Sequence, residues 1–216
     1  MTPYTHLYKK GPYSKTWHRN DQLIEEEGHV TDLIGAEAVK FIESKHEKPF
    51  FIYVPFTAPH SPFDEPEEWM EKAGHIDKKR RPYAASVQHM DATVGKIIEA
   101  LERTGQRDNT LVIFFSDNGG TKQRGGSAKY PGRHMKSPVK GLNHPLRGWK
   151  IDVYEGGIRV PAVVSWPGHL KYGKLAAAVH VIDWMPTLCS VAGLRVRGGA
   201  KWDGVNIWPL LEGKAA

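Results

Sequence analysis

Leu111-Val112-Ile113-Phe114-Phe115-Ser116-Asp117-Asn118-Gly119-Gly120 is the stretch on which the fold of this chain turns. Five consecutive apolar residues, rich in β-branched and aromatic types, predict a strand buried on both faces, as in a parallel sheet. The run stops abruptly in a carboxylate, an amide and two glycines. Upstream, Phe50-Phe51-Ile52-Tyr53-Val54 has the same character and ends at Pro55. It is followed by the loop Thr57-Ala58-Pro59-His60-Ser61-Pro62. Downstream, Val160 to Ser165 predicts a third strand. Between and around these runs lie helical patterns. Ile34, Ala38, Phe41 and Ile42 recur at helical spacing, with Thr31 or Asp32 as the expected N-cap. Tyr83, Val87, Met90, Val94, Ile97, Ile98 and Leu101 mark a longer amphipathic helix, with Gly105 as its expected C-cap. Val181 to Val191 predicts a third helix. This order of elements is that of a layered α/β fold. In such folds ligands gather at the carboxyl ends of the strands, where His60 and Asp117-Asn118 fall.

Composition narrows the class. The chain has 216 residues and a net charge of +6. Its 40% hydrophobic and 25% charged residues exclude a wholly disordered chain. No apolar run approaches the roughly 18 residues of a membrane helix, and Met1 to Lys10 has no signal-peptide core. Cys189 is the single cysteine, which excludes an intrachain disulfide and a cysteine-built zinc site. Its apolar helical surroundings predict a core residue. There is no internal repeat and no linker. One large domain, or one with a small appendage, is expected.

Three places could carry chemistry. Asp117 and Asn118 offer hard oxygen ligands suited to Ca²⁺ or Mg²⁺, while Gly119 and Gly120 let the backbone turn sharply and approach a ligand. A plain Asp-Asn-Gly turn is the alternative. His60, between two prolines, could donate to an anion or protonate a leaving group; a surface-loop histidine is the alternative. Third, no acidic residue lies between Asn118 and Ile151. The same stretch holds Lys122, Arg124, Lys129, Arg133, Lys136, Lys140, Arg147 and Lys150. These charges attract anions. A solvated loop, nucleic-acid contact and an anionic small group or polyanionic sugar all fit, although no usual nucleic-acid motif is present. Lys150 precedes Glu155-Gly156-Gly157-Ile158-Arg159-Val160-Pro161, which reads as a turn entering a strand.

Four segments taken together resemble the sulfatase family of the alkaline-phosphatase-like superfamily. They are Lys48 to Tyr53 running into Ala58-Pro59-His60-Ser61-Pro62; Phe114 to Gly120; Pro145-Leu146-Arg147-Gly148-Trp149-Lys150 with Glu155 to Pro161; and Asp183-Trp184-Met185-Pro186-Thr187-Leu188. Asp203-Gly204-Val205-Asn206 is similar to a later family segment. The Pro-Leu-Arg-Gly-x-Lys stretch is most similar to the arylsulfatase B group. The resemblance covers about residues 25–213 and implies an alkaline-phosphatase-like layered α/β/α sheet, incomplete, formed by the middle and later part of a catalytic domain. Residues 1–216 would form one partial domain, the last ~20 beginning a smaller C-terminal subdomain.

The resemblance also implies roles: Asp117 and Asn118 as ligands of Ca²⁺ (Mg²⁺ less so), and His60 and Lys150 as catalytic, sulfate-contacting residues. The implied reaction is hydrolysis of sulfate esters, of sulfated sugars above all. The implied partner is a sulfated small molecule or glycan, with no nucleic acid and no membrane span, and the implied location is extracytoplasmic. The sequence departs from the family in one decisive respect. It contains no Cys/Ser-x-Pro-x-Arg motif, the source of the formylglycine nucleophile, nor the family's amino-terminal aspartate pair. The expectation is therefore a fragment with formylglycine supplied by a missing amino-terminal part, inactive in isolation and exposing apolar sheet surface. The alternatives are a non-catalytic remnant binding sulfated glycans or other anions, and a phosphatase or phosphodiesterase of the same superfamily.

Overall fold

The computed structural model describes residues 1–7, 15–122, 130, 141–194 and 201–214. The chain forms two compact units, one of Met1–Arg107 with Ile113–Val163, the other of Asp108–Val112 with Val164–Ala216.

The first unit opens with a short antiparallel hairpin, β1 (His18–Arg19) and β2 (Gln22–Leu23), in register His18 to Leu23. Helix α1 (Val30–Glu43) follows. Its N-cap is His29, where Thr31 or Asp32 was expected. The His29 Nδ1 accepts the Thr31 backbone N–H at 3.2 Å, so a ring nitrogen does the work usually done by a hydroxyl or carboxylate. A short helix, α2 (Glu67–Lys72), leads to the long α3 (Arg81–Arg103), whose C-cap is Thr104. Gly105 follows at φ +70°, just beyond the expected cap position.

Helices α1 and α3 pack together, but not through the stripe of large residues that the periodicity suggests. The buried side of α3 is Pro82, Ala85, Ser86, His89, Thr93, Ala100 and Leu101. Val87, Met90, Val94, Ile97 and Ile98 are only half-buried. The reason is a close crossing. A Cβ on Gly35 of α1 would lie 2.1 Å from Thr93 Cγ2. Only small residues admit that approach, so the small and polar face of α3 meets α1.

Strand β3 (Val112–Phe115) forms where expected and is hydrogen-bonded to β4 (Ala162–Ser165). The predicted strand at Phe50–Val54 does not form. The segment joins no ladder among the described residues, and Phe51 and Tyr53 are 74% and 73% exposed. Its apolar residues alternate between exposed and half-buried, so it is not covered on both faces. Phe114 and Phe115 of β3 and Val163 of β4 are exposed as well. The segment Glu155–Ile158, expected as a turn, is one turn of helix, α4, leading into β4.

The second unit holds α5 (Trp184–Val191), preceded by a 3₁₀ turn at Val181–Asp183, and α6 (Trp208–Leu211). Two segments read separately in the sequence meet here. Asp183 accepts the N–H of His180 at 2.8 Å and of Val205 at 2.9 Å, and Thr187 Oγ1 accepts that of Ile207 at 2.9 Å. The N–H donors from His180 and Val205 hold the Asp183 carboxyl below the usual range. A Cβ on Gly204 would lie 2.3 Å from the Ile182 carbonyl, which accounts for glycine beside Asp203. Cys189 is half-buried on α5 rather than fully in the core.

Candidate active site

β3 ends at Phe115, and the chain turns through Asp117 to Gly120. Ser116 Oγ donates to the Asn118 carbonyl at 3.0 Å, and Asn118 Nδ2 donates to the Gly119 carbonyl at 3.0 Å. Asp117 is exposed. Among the described residues its carboxylate and the Asn118 Oδ1 have no hydrogen-bond partner. A carboxylate and an amide oxygen are hard oxygen donors of the kind that Ca²⁺ and Mg²⁺ take.

The turn is sewn to the segment that bears Lys150. Gly119 N–H donates to Gly157 O at 2.9 Å, and Lys150 N–H donates to Gly120 O at 2.9 Å. Asn143 grips Gly120 from both sides, as its Oδ1 accepts the Gly120 N–H at 2.9 Å and its Nδ2 donates to Gly120 O at 2.9 Å. The same Nδ2 reaches Gly148 O at 3.0 Å. Gly156 N–H donates to Arg147 O at 2.7 Å, closing the lysine-bearing turn. The glycines are required here for backbone-to-backbone contact. A Cβ on Gly119 would sit 1.9 Å from Gly156 O, and one on Gly156 2.2 Å from Gly148 O. Arg147 caps the turn, its guanidinium 3.9 Å from the Tyr154 ring centre.

Asp117, Asn118 and Lys150 are thus on adjoining loops. His60 is on another loop, with no hydrogen bond to the other three among the described residues. It is exposed, and its N–H bonds Thr57 O at 2.9 Å. Its Nδ1 lies 2.6 Å from Ser61 O, so Nδ1 carries a hydrogen and Nε2 is left to accept when the ring is neutral and to donate when it is charged. Of the basic stretch, Lys122, Arg147 and Lys150 are described; Arg124, Lys129, Arg133, Lys136 and Lys140 lie outside the described residues.

Asn143 was missed by sequence reasoning, since an isolated Asn in a loop carries no signal of a long-range clamp. So was a buried polar joint that binds α1, α3 and the segment after His60. His89 Nδ1 is 2.9 Å from Glu65 Oε2, and its Nε2 is 3.1 Å from Asp32 Oδ2. Burial pushes the His89 ring down, but its bonds to Glu65 and Asp32 outweigh burial and leave it above the ordinary value. Burial dominates at His29 and holds it low. The His29-x-x-Asp32 spacing at a helix start was the available signal.

With this geometry in place, the comparisons with known proteins give the class. The family model described as Sulfatase matches residues 2–194, and the chain belongs to the sulfatase family. It is 32% identical over 222 residues to human Arylsulfatase H, covering 99% of this chain and 37% of that protein. It is 31% identical to mouse N-acetylgalactosamine-6-sulfatase, covering 98% of this chain and 40% of that protein. The crystal structure of Ps i-CgsB in complex with k-i-k-neocarrahexaose superimposes with a TM-score of 0.79 at 35% identity, over 94% of this chain and 42% of that one. The fold is accordingly the alkaline-phosphatase-like α/β fold, present in part. The chain spans about two fifths of the length of these relatives. Among the described residues no helix is long and apolar enough to cross a membrane.

Proposed function

We propose that this chain supplies part of the active site of an extracytoplasmic sulfuric ester hydrolase acting on sulfated glycans. Asp117 and Asn118 would hold Ca²⁺, while His60 and Lys150 contact the sulfate ester. The observation that carries this reading is the joint between the Asp117–Gly120 turn and the Lys150 turn. It joins the backbone of the turn that carries Asp117 and Asn118 to the backbone of the turn that carries Lys150. Lys150 would bind a sulfate oxygen and offset charge developing on the sulfuryl group. His60 would give a proton to the departing alcohol from Nε2, its Nδ1 being engaged by Ser61 O. Ca²⁺, when bound, would supply further charge stabilisation at the sulfate. Two oxygens fall short of the roughly six to eight that Ca²⁺ takes, so further donors come from elsewhere. The sequence has no Cys/Ser-x-Pro-x-Arg motif, so the nucleophile would come from residues other than these 216. The glycan substrate is supported by the k-i-k-neocarrahexaose named in the Ps i-CgsB structure and by the N-acetylgalactosamine-6-sulfatase among the relatives. The whole of residues 1–216 is read as one partial catalytic domain.

The test joins this chain to a formylglycine-bearing segment of a relative and measures Ca²⁺-dependent hydrolysis of an aryl sulfate and an aryl phosphate. Sulfate hydrolysis lost in Asp117→Ala supports the reading. Activity unchanged in Asp117→Ala, or preference for the phosphate, overturns it.

A further inference from the structure

The cluster at the head of α1 shares no residue with the sulfate-ester site, and it has the makings of a second metal site. One ring nitrogen each of His29 and His89 and an Asp32 carboxylate oxygen lie within 4.8 Å of one another, His89 Nε2 being 3.1 Å from Asp32 Oδ2. His29 is only 4% exposed, yet its Nε2 has no hydrogen-bond partner, the Glu65 Oε2 being 3.6 Å away. A buried polar nitrogen without a partner is costly unless something else satisfies it. The surroundings are rigid. The Trp69 ring stacks on His89 at 5.1 Å and 13°, and Tyr4 packs edge-on against His29. Asp32 is partly exposed and lines a surface groove with Gly35, Thr93 and Lys96.

We infer that this cluster is a binding site for a Zn²⁺-class divalent cation, ligated by His29, His89 and Asp32. Two imidazoles and one carboxylate suit Zn²⁺ and its neighbours better than Ca²⁺ or Mg²⁺, which prefer all-oxygen shells. Glu65 is the outer partner. It accepts the His89 Nδ1–H at 2.9 Å and so turns Nε2 of the same ring toward the ion, the carboxylate–histidine–metal arrangement. Binding rearranges hydrogens in a defined way. His89, which donates to carboxylates from both nitrogens, loses the Nε2 proton to solvent. His29 moves its hydrogen from Nε2 to Nδ1 and gives up the Thr31 N–H that Nδ1 now accepts. The Lys96 ammonium, 3.8 Å from Asp32 Oδ1, can swing away to water because it is itself exposed.

The experiment titrates the chelator-stripped 216-residue chain with Zn²⁺ by calorimetry, and with Co²⁺ while following its visible ligand-field absorption. One saturable equivalent is expected, with Co²⁺ absorption well above that of the aqua ion and a Tm raised by Zn²⁺. His89→Gln and Asp32→Asn should abolish that equivalent. Glu65→Gln should weaken it by about 10–100-fold. Asp117→Ala should leave it intact, which separates this site from the Ca²⁺ reading. Zn²⁺ binding unchanged in His89→Gln and Asp32→Asn would assign it to others of the 11 histidines and overturn the proposal. Should either variant fail to fold, an aqua-like Co²⁺ spectrum of the parent chain would overturn it equally.

Discussion

Asn143 and Gly120 hold each other through a reciprocal pair of hydrogen bonds, Oδ1 to N–H and Nδ2 to O, each 2.9 Å long. A side-chain amide here imitates a strand partner and closes the loop after β3 onto the lysine-bearing turn. Asn143→Ala removes both bonds and the third one to Gly148 O, and leaves the half-buried Gly120 N–H without that partner. At about 1 kcal/mol for each bond, the unit should lose about 3 kcal/mol. That corresponds to a Tm about 6–12 °C lower for a unit of this size. Ca²⁺ affinity should fall with it, and titration of the variant checks the second effect.

Gly119→Ala and Gly95→Ala should move stability in opposite directions. The added methyl at 119 would lie 1.9 Å from a backbone carbonyl that cannot step aside, whereas at 95, inside α3, it meets nothing within 4 Å. The first should cost about 1–3 kcal/mol or more. The second should gain up to about 1 kcal/mol from helix propensity. Urea midpoints of the two variants decide it.

Gly35→Ala should be destabilising because of a single methyl group, Thr93 Cγ2, 2.1 Å from the new Cβ. Thr93→Ser deletes that methyl and keeps the hydroxyl that bonds His89 O at 2.9 Å. The double variant should therefore be more stable than Gly35→Ala alone. A double-mutant cycle with a coupling of about 0.5–3 kcal/mol is the expected result; additive effects would show that α1 and α3 do not touch at this point.

Asp183 predicts an acid transition in the second unit. Its carboxyl is held low in the folded state, so its stabilisation is complete above the ordinary aspartate range, near about pH 4. It is lost as pH falls through the lower folded value. Asp183→Asn cannot serve both the His180 and Val205 donors as an anion. The melting temperature of the variant should lie below that of the parent at pH 7, and the gap should narrow as the pH falls below 4.

Much of this was legible in the sequence. β3 and its Asp-Asn-Gly-Gly terminus are visible because an uninterrupted apolar run broken by polar residues has few other readings. The Lys150 segment is visible through its family pattern. The strand expected at Phe50–Val54 was not to be had from composition, because an apolar run shows an appetite for burial and not the presence of a ladder partner. The buried side of α3 was misjudged for a related reason. Periodicity weighs large residues, whereas Gly35 selected a face by how closely two backbones could approach. His89 and Asn143 were invisible because their partners are distant in sequence, whereas at His29 the spacing to Asp32 was there to be read.

Gly119 to Gly157 and Lys150 to Gly120 are joined peptide to peptide. Main-chain amides are the one part of a protein that ordinary point mutation leaves chemically unaltered. Around this joint, Leu142, Ile151, Val153 and Ile158 present 65%, 78%, 84% and 65% of their surface to solvent. Substitution of these outward residues therefore leaves the backbone joint itself in place. Diversification of such a scaffold is expected to run through its skin and to stop at its glycines.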